Sequence, residues 1–150
     1  MQPLEWKRGE FLISTDRARL DVAAVHQLLS NSYWSPGIPL EVVRRSIEHS
    51  LPFGLYRGSE QVGFARVTTD FATFGYLADV IIAEPVRGLG LGTWLMETIF
   101  GHPDLQGFRR WMLATRDAHG LYAKFGFTPL RAPESFMERW DPDIYRRSQG

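Results

Sequence analysis

Residues Glu84–Thr93 read EPVRGLGLGT, and the rest of the chain is best read outward from them. Gly88, Gly90 and Gly92 alternate, so the backbone can turn tightly and expose successive N–H groups. The stretch before them, Gly75–Ala83 (GYLADVIIA), is a near-continuous apolar run, the pattern of a strand buried on both faces. The stretch after them, Gly92–Phe100, reads as a helix, with Leu91, Leu95 and Ile99 stacked at i, i+4. A glycine loop that opens a helix gathers unpaired N–H groups and the positive end of the helix dipole, which suits phosphate oxygens. Each such bond to an ionised phosphate contributes about 1.5–3 kcal/mol. Arg87 adds a formal charge suited to a pyrophosphate. The spacing excludes a Walker A loop, which requires a Gly-Lys-Ser/Thr that does not occur here. It also departs from the Gly-x-Gly-x-x-Gly dinucleotide fingerprint and lies too late for a first βα unit. A turn needed only for strand–helix packing is the simpler alternative.

Around this centre the chain alternates strand and helix signals. Phe11–Thr15 (FLIST) is a candidate strand, and Asp16 or Asp21 can cap a helix carrying Leu20, Ala24, Leu28, Val25 and Leu29. Asn31–Pro39 (NSYWSPGIP) is rich in turn formers, and Leu40–His49 reads as a second helix with Val43 and Ile47 one turn apart. Phe53–Arg57 and Gln61–Thr69 flank Gly58-Ser59-Glu60, a hairpin signal. After the central helix, Arg110–Ala114 (RWMLA) reads as another buried strand. Asp117 opens a helix running through Phe125, and Gly126 closes it. Short strands at Phe127–Leu130 and Ser135–Trp140 are expected to finish the sheet. The order β-α-α-β-β-β-α-β-α-β-β gives an α/β (α+β) fold, a mixed and mostly antiparallel central sheet flanked by helices.

Composition bounds the function. At 150 residues a single domain spanning 1–150 is expected. Seventeen basic residues cancel seventeen acidic ones, eight of each in 1–75 and nine of each in 76–150, so no basic surface for nucleic acid is expected. The longest apolar stretch, Tyr76–Ala83, is short and carries Asp79, so no membrane partner is expected. The chain has no cysteine, which removes disulfides, thiolate metal sites and a cysteine nucleophile. MQPLEWKRGEFLIS lacks a signal-peptide core, and a cytoplasmic location is the default expectation.

Arg87-Gly88-Leu89-Gly90-Leu91-Gly92 resembles the Arg/Gln-x-x-Gly-x-Gly/Ala signature of the GNAT N-acetyltransferase superfamily. Some thirty residues later Leu121-Tyr122-Ala123-Lys124-Phe125-Gly126-Phe127 is similar to that family's Leu-Tyr-x-Lys-x-Gly-Phe helix end. The two motifs cover Ile82–Phe127, and the expected topology extends the likeness over most of the chain. The resemblance implies acetyl-CoA as acyl-donor cosubstrate. Backbone amides from Arg87, Gly88, Leu89, Gly90, Leu91, Gly92 and Thr93 would hold the pyrophosphate. Ile82 would pair with the pantetheine arm, its N–H placed to stabilise an oxyanion. Two positions depart from the family pattern: Thr115 stands where an asparagine is common, and the proline of Glu84-Pro85 comes one residue late.

Acetyl transfer to an amine needs a neutral nucleophile, a stabilised oxyanion and a proton for the leaving sulfur. Tyr122 matches the family tyrosine that sits close to that sulfur. A phenol of pKa about 10 protonates a thiolate of parent pKa about 8.5 only when it is well positioned. Its alternative role is packing, since Leu121 and Phe125 already form an apolar pair on that helix. Asp79 is the candidate base, directly or through water, because a carboxylate inside YLADVIIA is costly to bury unless partnered. The competing reading is a structural ion pair with Arg66. His119 could shuttle protons but reads more simply as a solvated residue at a helix start, and Lys124 as an exposed helix lysine. His26, His49 and His102 share no metal-ligand spacing, and no metal is expected.

The NSYWSPGIP segment lies where the family often covers its acceptor pocket, making Tyr33 and Trp34 the substrate-binding candidates, able to stack on an aromatic or cationic acceptor. Core packing under a proline-braced loop is their alternative. Phe71 and Phe74 bracket a second rim. No acidic cluster suggests a polyamine or a histone-like tail, so a small amine is expected. The reading is therefore direct N-acetyl transfer from acetyl-CoA to a primary amine of a small molecule. Its rivals are a non-catalytic CoA-binding or sensing module and a peptide or protein N-acetyltransferase. Members of the family often dimerise, which admits a homodimer here, although no segment declares an interface.

Overall fold

The sheet begins with a hairpin not expected from the sequence. Strands β1 (Glu5–Arg8) and β2 (Phe11–Ser14) pair antiparallel about Gly9, whose φ of +58° suits a residue without Cβ. The pattern of β1, EWKR, hides the strand because only Trp6 faces inward, against Phe53 and the buried His102. This picture comes from a computed structural model that describes residues 1–148. Asp16 and Asp21 both act as caps: Asp16 accepts from Ala18 N–H at a short 3-10 turn, and Asp21 from Ala24 N–H at the start of α1 (Val22–Ser30). Helix α2 (Leu40–Glu48) follows the turn-rich loop, burying Val43 and Ile47 as expected.

Strands β3 (Leu51–Arg57), β4 (Glu60–Thr69) and β5 (Phe74–Ile82) continue the antiparallel meander. Gly58 turns the β3–β4 hairpin at φ +62°. Asp70 ties the β4–β5 turn by accepting from the N–H groups of Ala72 and Thr73 and from the Thr73 hydroxyl. These donors hold its carboxyl well below the usual carboxylate range. Helix α3 (Leu91–Phe100) crosses back, and β6 (Arg110–Met112) joins β5 in parallel. The sheet order is β1-β2-β3-β4-β5-β6, mixed and mostly antiparallel, with helices on both faces. One face buries Leu51, Phe53, Leu55, Val62 and Val67 beneath Leu91, Leu95, Met96 and Ile99 of α3. The opposite face buries Phe64 beneath Val25, Leu29, Val43 and Ile47 of α1 and α2.

Three expectations are corrected. The strand after α3 is only three residues long and half-buried, because it pairs on one side alone. Strand β5 is not buried on both faces: residues 78–82 are partly exposed where β6 has already ended. The closing strands at 127–130 and 135–140 do not form. After α4 (His119–Ala123) the chain makes turns, a 3-10 turn at Pro133–Ser135 and the short helix α5 (Ile144–Ser148). Pro129 removes a donor that a ladder at 127–130 would need, and Pro133 opens the 3-10 turn that runs into the second range. Gly126 does end its helix: at φ +91° it donates to Ala123 C=O, and Phe127 N–H reaches back to Tyr122 C=O.

Candidate active site

Strands β5 and β6 pair only from Phe74 to Tyr76 against Arg110 to Met112. Beyond that the two chains part, and a cleft of about 500 Å³ opens between residues 76–80 and 113–118. A bulge lies beside the gap: β4 advances two residues from Phe64 to Arg66 while β5 steps back three, from Ile81 to Ala78. Asp79 sits in that bulge at φ +57°, a left-handed conformation that aspartate tolerates better than most residues.

The bulge also fixes how β5 presents its backbone. Ala83 N–H donates to Val62 C=O at 2.8 Å, so by antiparallel alternation the N–H and C=O of Ile82 face away from β4, into the gap. The Ile82 carbonyl is taken by the Arg87 Nε–H at 2.9 Å. Its N–H has no acceptor among the described residues.

The glycine loop follows after a 3-10 turn at Glu84–Val86, where Pro85 is accommodated. Gly88 and Gly90 take φ values of +82° and +78°, and Gly90 is the N-cap of α3 without any side-chain cap. Among the described residues no acceptor meets the N–H groups of 88–93; the first paired donor is Trp94, to Gly90 C=O. A Cβ built at Gly88, Gly90 or Gly92 would meet nothing within 4 Å. Packing therefore does not demand glycine at Gly92, and only backbone conformation demands it at Gly88 and Gly90. This weakens the strand–helix packing alternative and leaves an open, donor-rich shelf that fits an anionic group. Arg87 stands at its edge, tied to β5 through Nε; its own N–H, expected to join the shelf, is already given to Glu84 C=O at 3.2 Å because it closes the 3-10 turn, so the open donors begin at Gly88.

Tyr122, on α4, is 7 % exposed and lines the cleft from the β6 side. Burial raises its hydroxyl above the ordinary value of 10, with Tyr33 and Asp117 pushing the same way. Its ring packs edge-on against Phe127 at 6.1 Å, so packing and a place in the cleft lining coexist. Thr115 closes the turn before this short helix: its Oγ1 accepts from the N–H of Ala118, the N-cap, at 3.1 Å. His119 and Lys124 are exposed and stand outside the cleft lining, in keeping with their solvated readings.

Asp79 is the best-partnered carboxylate in the cleft. Its Oδ2 accepts from Arg66 Nε–H at 2.6 Å, and its Oδ1 from Trp34 Nε1–H at 3.0 Å. The ion pair with Arg66 named above as the competing reading is the one that forms. Tyr33 and Trp34 lie on the loop before α2 and reach opposite jaws. Trp34 binds Asp79 on β5, while the Tyr33 hydroxyl accepts from Arg116 N–H at 3.0 Å beyond β6. The Arg116 guanidinium covers one face of the Tyr33 ring at 3.8 Å, so part of the stacking surface expected for an acceptor is already occupied from within. Phe71 and Phe74 are absent from this cleft lining. Sequence reasoning missed Tyr76, Arg116 and Asp117, which all line it. The signal for the last two was their place directly after the short strand, at the open end of the splay. Among the described residues no three His, Asp or Glu groups are placed to hold a metal ion, and no helix is long and apolar enough to cross a membrane.

The sequence pattern of the acetyltransferase (GNAT) family matches residues 22–127. A Gibberella zeae protein named as an acetyltransferase is 36 % identical over 146 residues, covering 82 % of this chain and 81 % of that protein. Among solved structures, an acetyltransferase assigned to the GNAT family from Xanthomonas campestris pv. campestris is 48 % identical with a TM-score of 0.89, covering 93 % of this chain and 99 % of that one. A Clostridium acetobutylicum protein solved with acetyl-CoA is similar in fold, with a TM-score of 0.62 at 12 % identity, over 93 % of this chain and 95 % of that one.

Proposed function

The chain belongs to the acetyltransferase (GNAT) family, and from that premise we propose that it moves an acetyl group from acetyl-CoA directly onto a primary amine of a small molecule. The observation that carries this reading is the alignment of two sets of unpaired donors. The N–H groups of 88–93 form a shelf at the start of α3, and the Ile82 N–H faces the gap between β5 and β6. The shelf takes the diphosphate of acetyl-CoA, with Arg87 beside it; the Ile82 N–H faces the pantetheine arm and the carbonyl oxygen on which charge develops. Acetyl-CoA supplies an activated acyl group on a leaving thiolate. Tyr122, held protonated by its buried setting, gives that thiolate its proton from the opposite jaw.

The acceptor enters between the jaws, beneath Tyr33 and Trp34. Those two residues span the cleft from both sides, which favours a small molecule over an extended peptide. Calorimetric titration with acetyl-CoA, against desulfo-CoA and NAD, is the test, followed by a panel of small amines. Binding of acetyl-CoA with turnover of an amine supports the reading. Binding without turnover points to a sensing module, and no binding at high concentration removes the role given to residues 87–93.

A further inference from the structure

Two hydrogen bonds converge on Asp79, and they use both of its oxygens. Arg66 Nε–H meets Oδ2 at 2.6 Å and Trp34 Nε1–H meets Oδ1 at 3.0 Å. The Asp79 side chain is 9 % exposed and that of Arg66 21 %, so this is a largely desolvated ion pair. Arg66 is braced in turn by Thr68, whose Oγ1 accepts from Nη1 at 3.1 Å. A carboxylate with a guanidinium on one oxygen and an indole N–H on the other is held from two sides, and its loss would strand Arg66. It is a good anchor. Trp34 lies on a loop and is 40 % exposed, and among the described residues its one ring contact is edge-on with Tyr33 at 5.0 Å, so its bond to Asp79 fixes where the indole stands. The left-handed bulge serves the same end, since it is Asp79 itself that adopts φ +57° there.

We propose that Asp79 is a positioning residue and not the base of the reaction: clamped by Arg66, it holds the Trp34 indole as a wall of the acceptor end of the cleft. The acceptor part rests on the transferase reading above, whereas the anchoring of Trp34 does not. Setting the indole fixes the width of the opening and therefore which amines pass. The amine proton leaves to solvent at the open mouth and not to Asp79.

The first readout needs no substrate. In a 15N-labelled protein, Trp34→Phe identifies the Trp34 indole cross-peak among the five tryptophans. Asp79→Gly, which tolerates a positive φ, is expected to shift that cross-peak and speed its exchange with water about tenfold or more. Should Asp79→Gly fail to fold, Asp79→Asn replaces it; the single amide oxygen goes to the charged guanidinium and Trp34 is again released.

The second readout is kinetic. With an accepted amine, Asp79→Gly and Trp34→Phe are both expected to raise the acceptor KM about tenfold, keep kcat within about threefold and leave the pH profile unchanged. An unmoved Trp34 cross-peak in the Asp79 variants overturns the anchoring. A kcat loss of about a hundredfold or more in Asp79→Gly, with one limb of the pH profile gone and Trp34→Phe like wild type, makes Asp79 the base and overturns the proposal. A wild type inert towards acetyl-CoA removes the transferase reading and the acceptor part with it, and the cross-peak still decides whether Asp79 holds Trp34.

Discussion

Burial raises the Tyr122 hydroxyl above its ordinary value of 10, with Tyr33 and the Asp117 carboxylate adding to the shift. The group therefore stays protonated through the neutral range and remains able to donate. Tyr122→Phe keeps the ring packing against Phe127 and removes only the hydroxyl, so kcat should fall about a hundredfold while acetyl-CoA affinity stays within about twofold. Steady-state kinetics paired with calorimetry checks this; unchanged turnover would leave the tyrosine a packing role alone. The sign of the shift adds a second expectation. Loss of activity through deprotonation of Tyr122 should set in only above pH 10, so a limb assigned to this residue near neutrality would contradict it. Tyr122 was legible in the sequence because a motif surrounds it. Asp79 was legible as an anomaly, a charge in an apolar run, but the sequence does not show that Trp34, 45 residues away, would supply its second partner. Arg116 escaped notice for a related reason: its N–H reaches Tyr33 across 83 residues.

The glycine loop and the start of α3 could be read almost entirely from EPVRGLGLGT, because glycine alternation is a local signal and the structure answers it locally. Gly88 and Gly90 have positive φ; Gly92 does not, and nothing lies near its absent Cβ. That difference separates structure from function. Gly90→Ala forces a side chain into a left-handed conformation and should cost about 1 kcal/mol of stability. Gly92→Ala meets no clash and improves helix propensity, so stability should stay level or rise by at most about 1 kcal/mol. If the shelf binds a diphosphate through close backbone approach, the same Gly92→Ala should still weaken acetyl-CoA binding about tenfold. Thermal unfolding and calorimetry on one preparation check both halves, and tight binding by Gly92→Ala would show that the ligand does not approach there. The elements after α4 were not legible. The runs at 127–130 and 135–140 have strand-like composition, but pairing depends on a neighbour, and β6 offers only three residues. The opening hairpin was missed for the opposite reason: β1 is an edge strand whose residues mostly face solvent.

Taken whole, the molecule has a firmly paired end and an open one. At the firm end His102 is fully buried between Trp6 and Phe53, with Nδ1 accepting from Asp104 N–H and Nε2 unpaired. Burial lowers its pKa below 6.5, only partly opposed by Asp104. The unfolded chain thus takes up a proton more readily than the folded one, so this contribution to stability is intact above about pH 6.5 and is lost as pH falls below it. Thermal melts from pH 8 to 5 should show that loss, and His102→Asn, which keeps an acceptor for Asp104 N–H, should flatten it.

The open end behaves differently, because β5 and β6 share only three paired residues before they separate. A ligand lying in that gap bridges the meander β1–β5 and the segment 110–123, and so favours the folded state wherever it binds. At a hundred times its Kd, acetyl-CoA should stabilise the protein by about 2.7 kcal/mol, a rise in Tm of roughly 5–10 °C for a chain of this size. Hydrogen exchange should slow most at 78–82, 88–93 and 113–118, the two jaws and the shelf, and hardly at all around His102. Protection confined to 88–93 would mean that the diphosphate binds while the acyl arm lies elsewhere, and would place the reacting carbon away from both Ile82 and Tyr122.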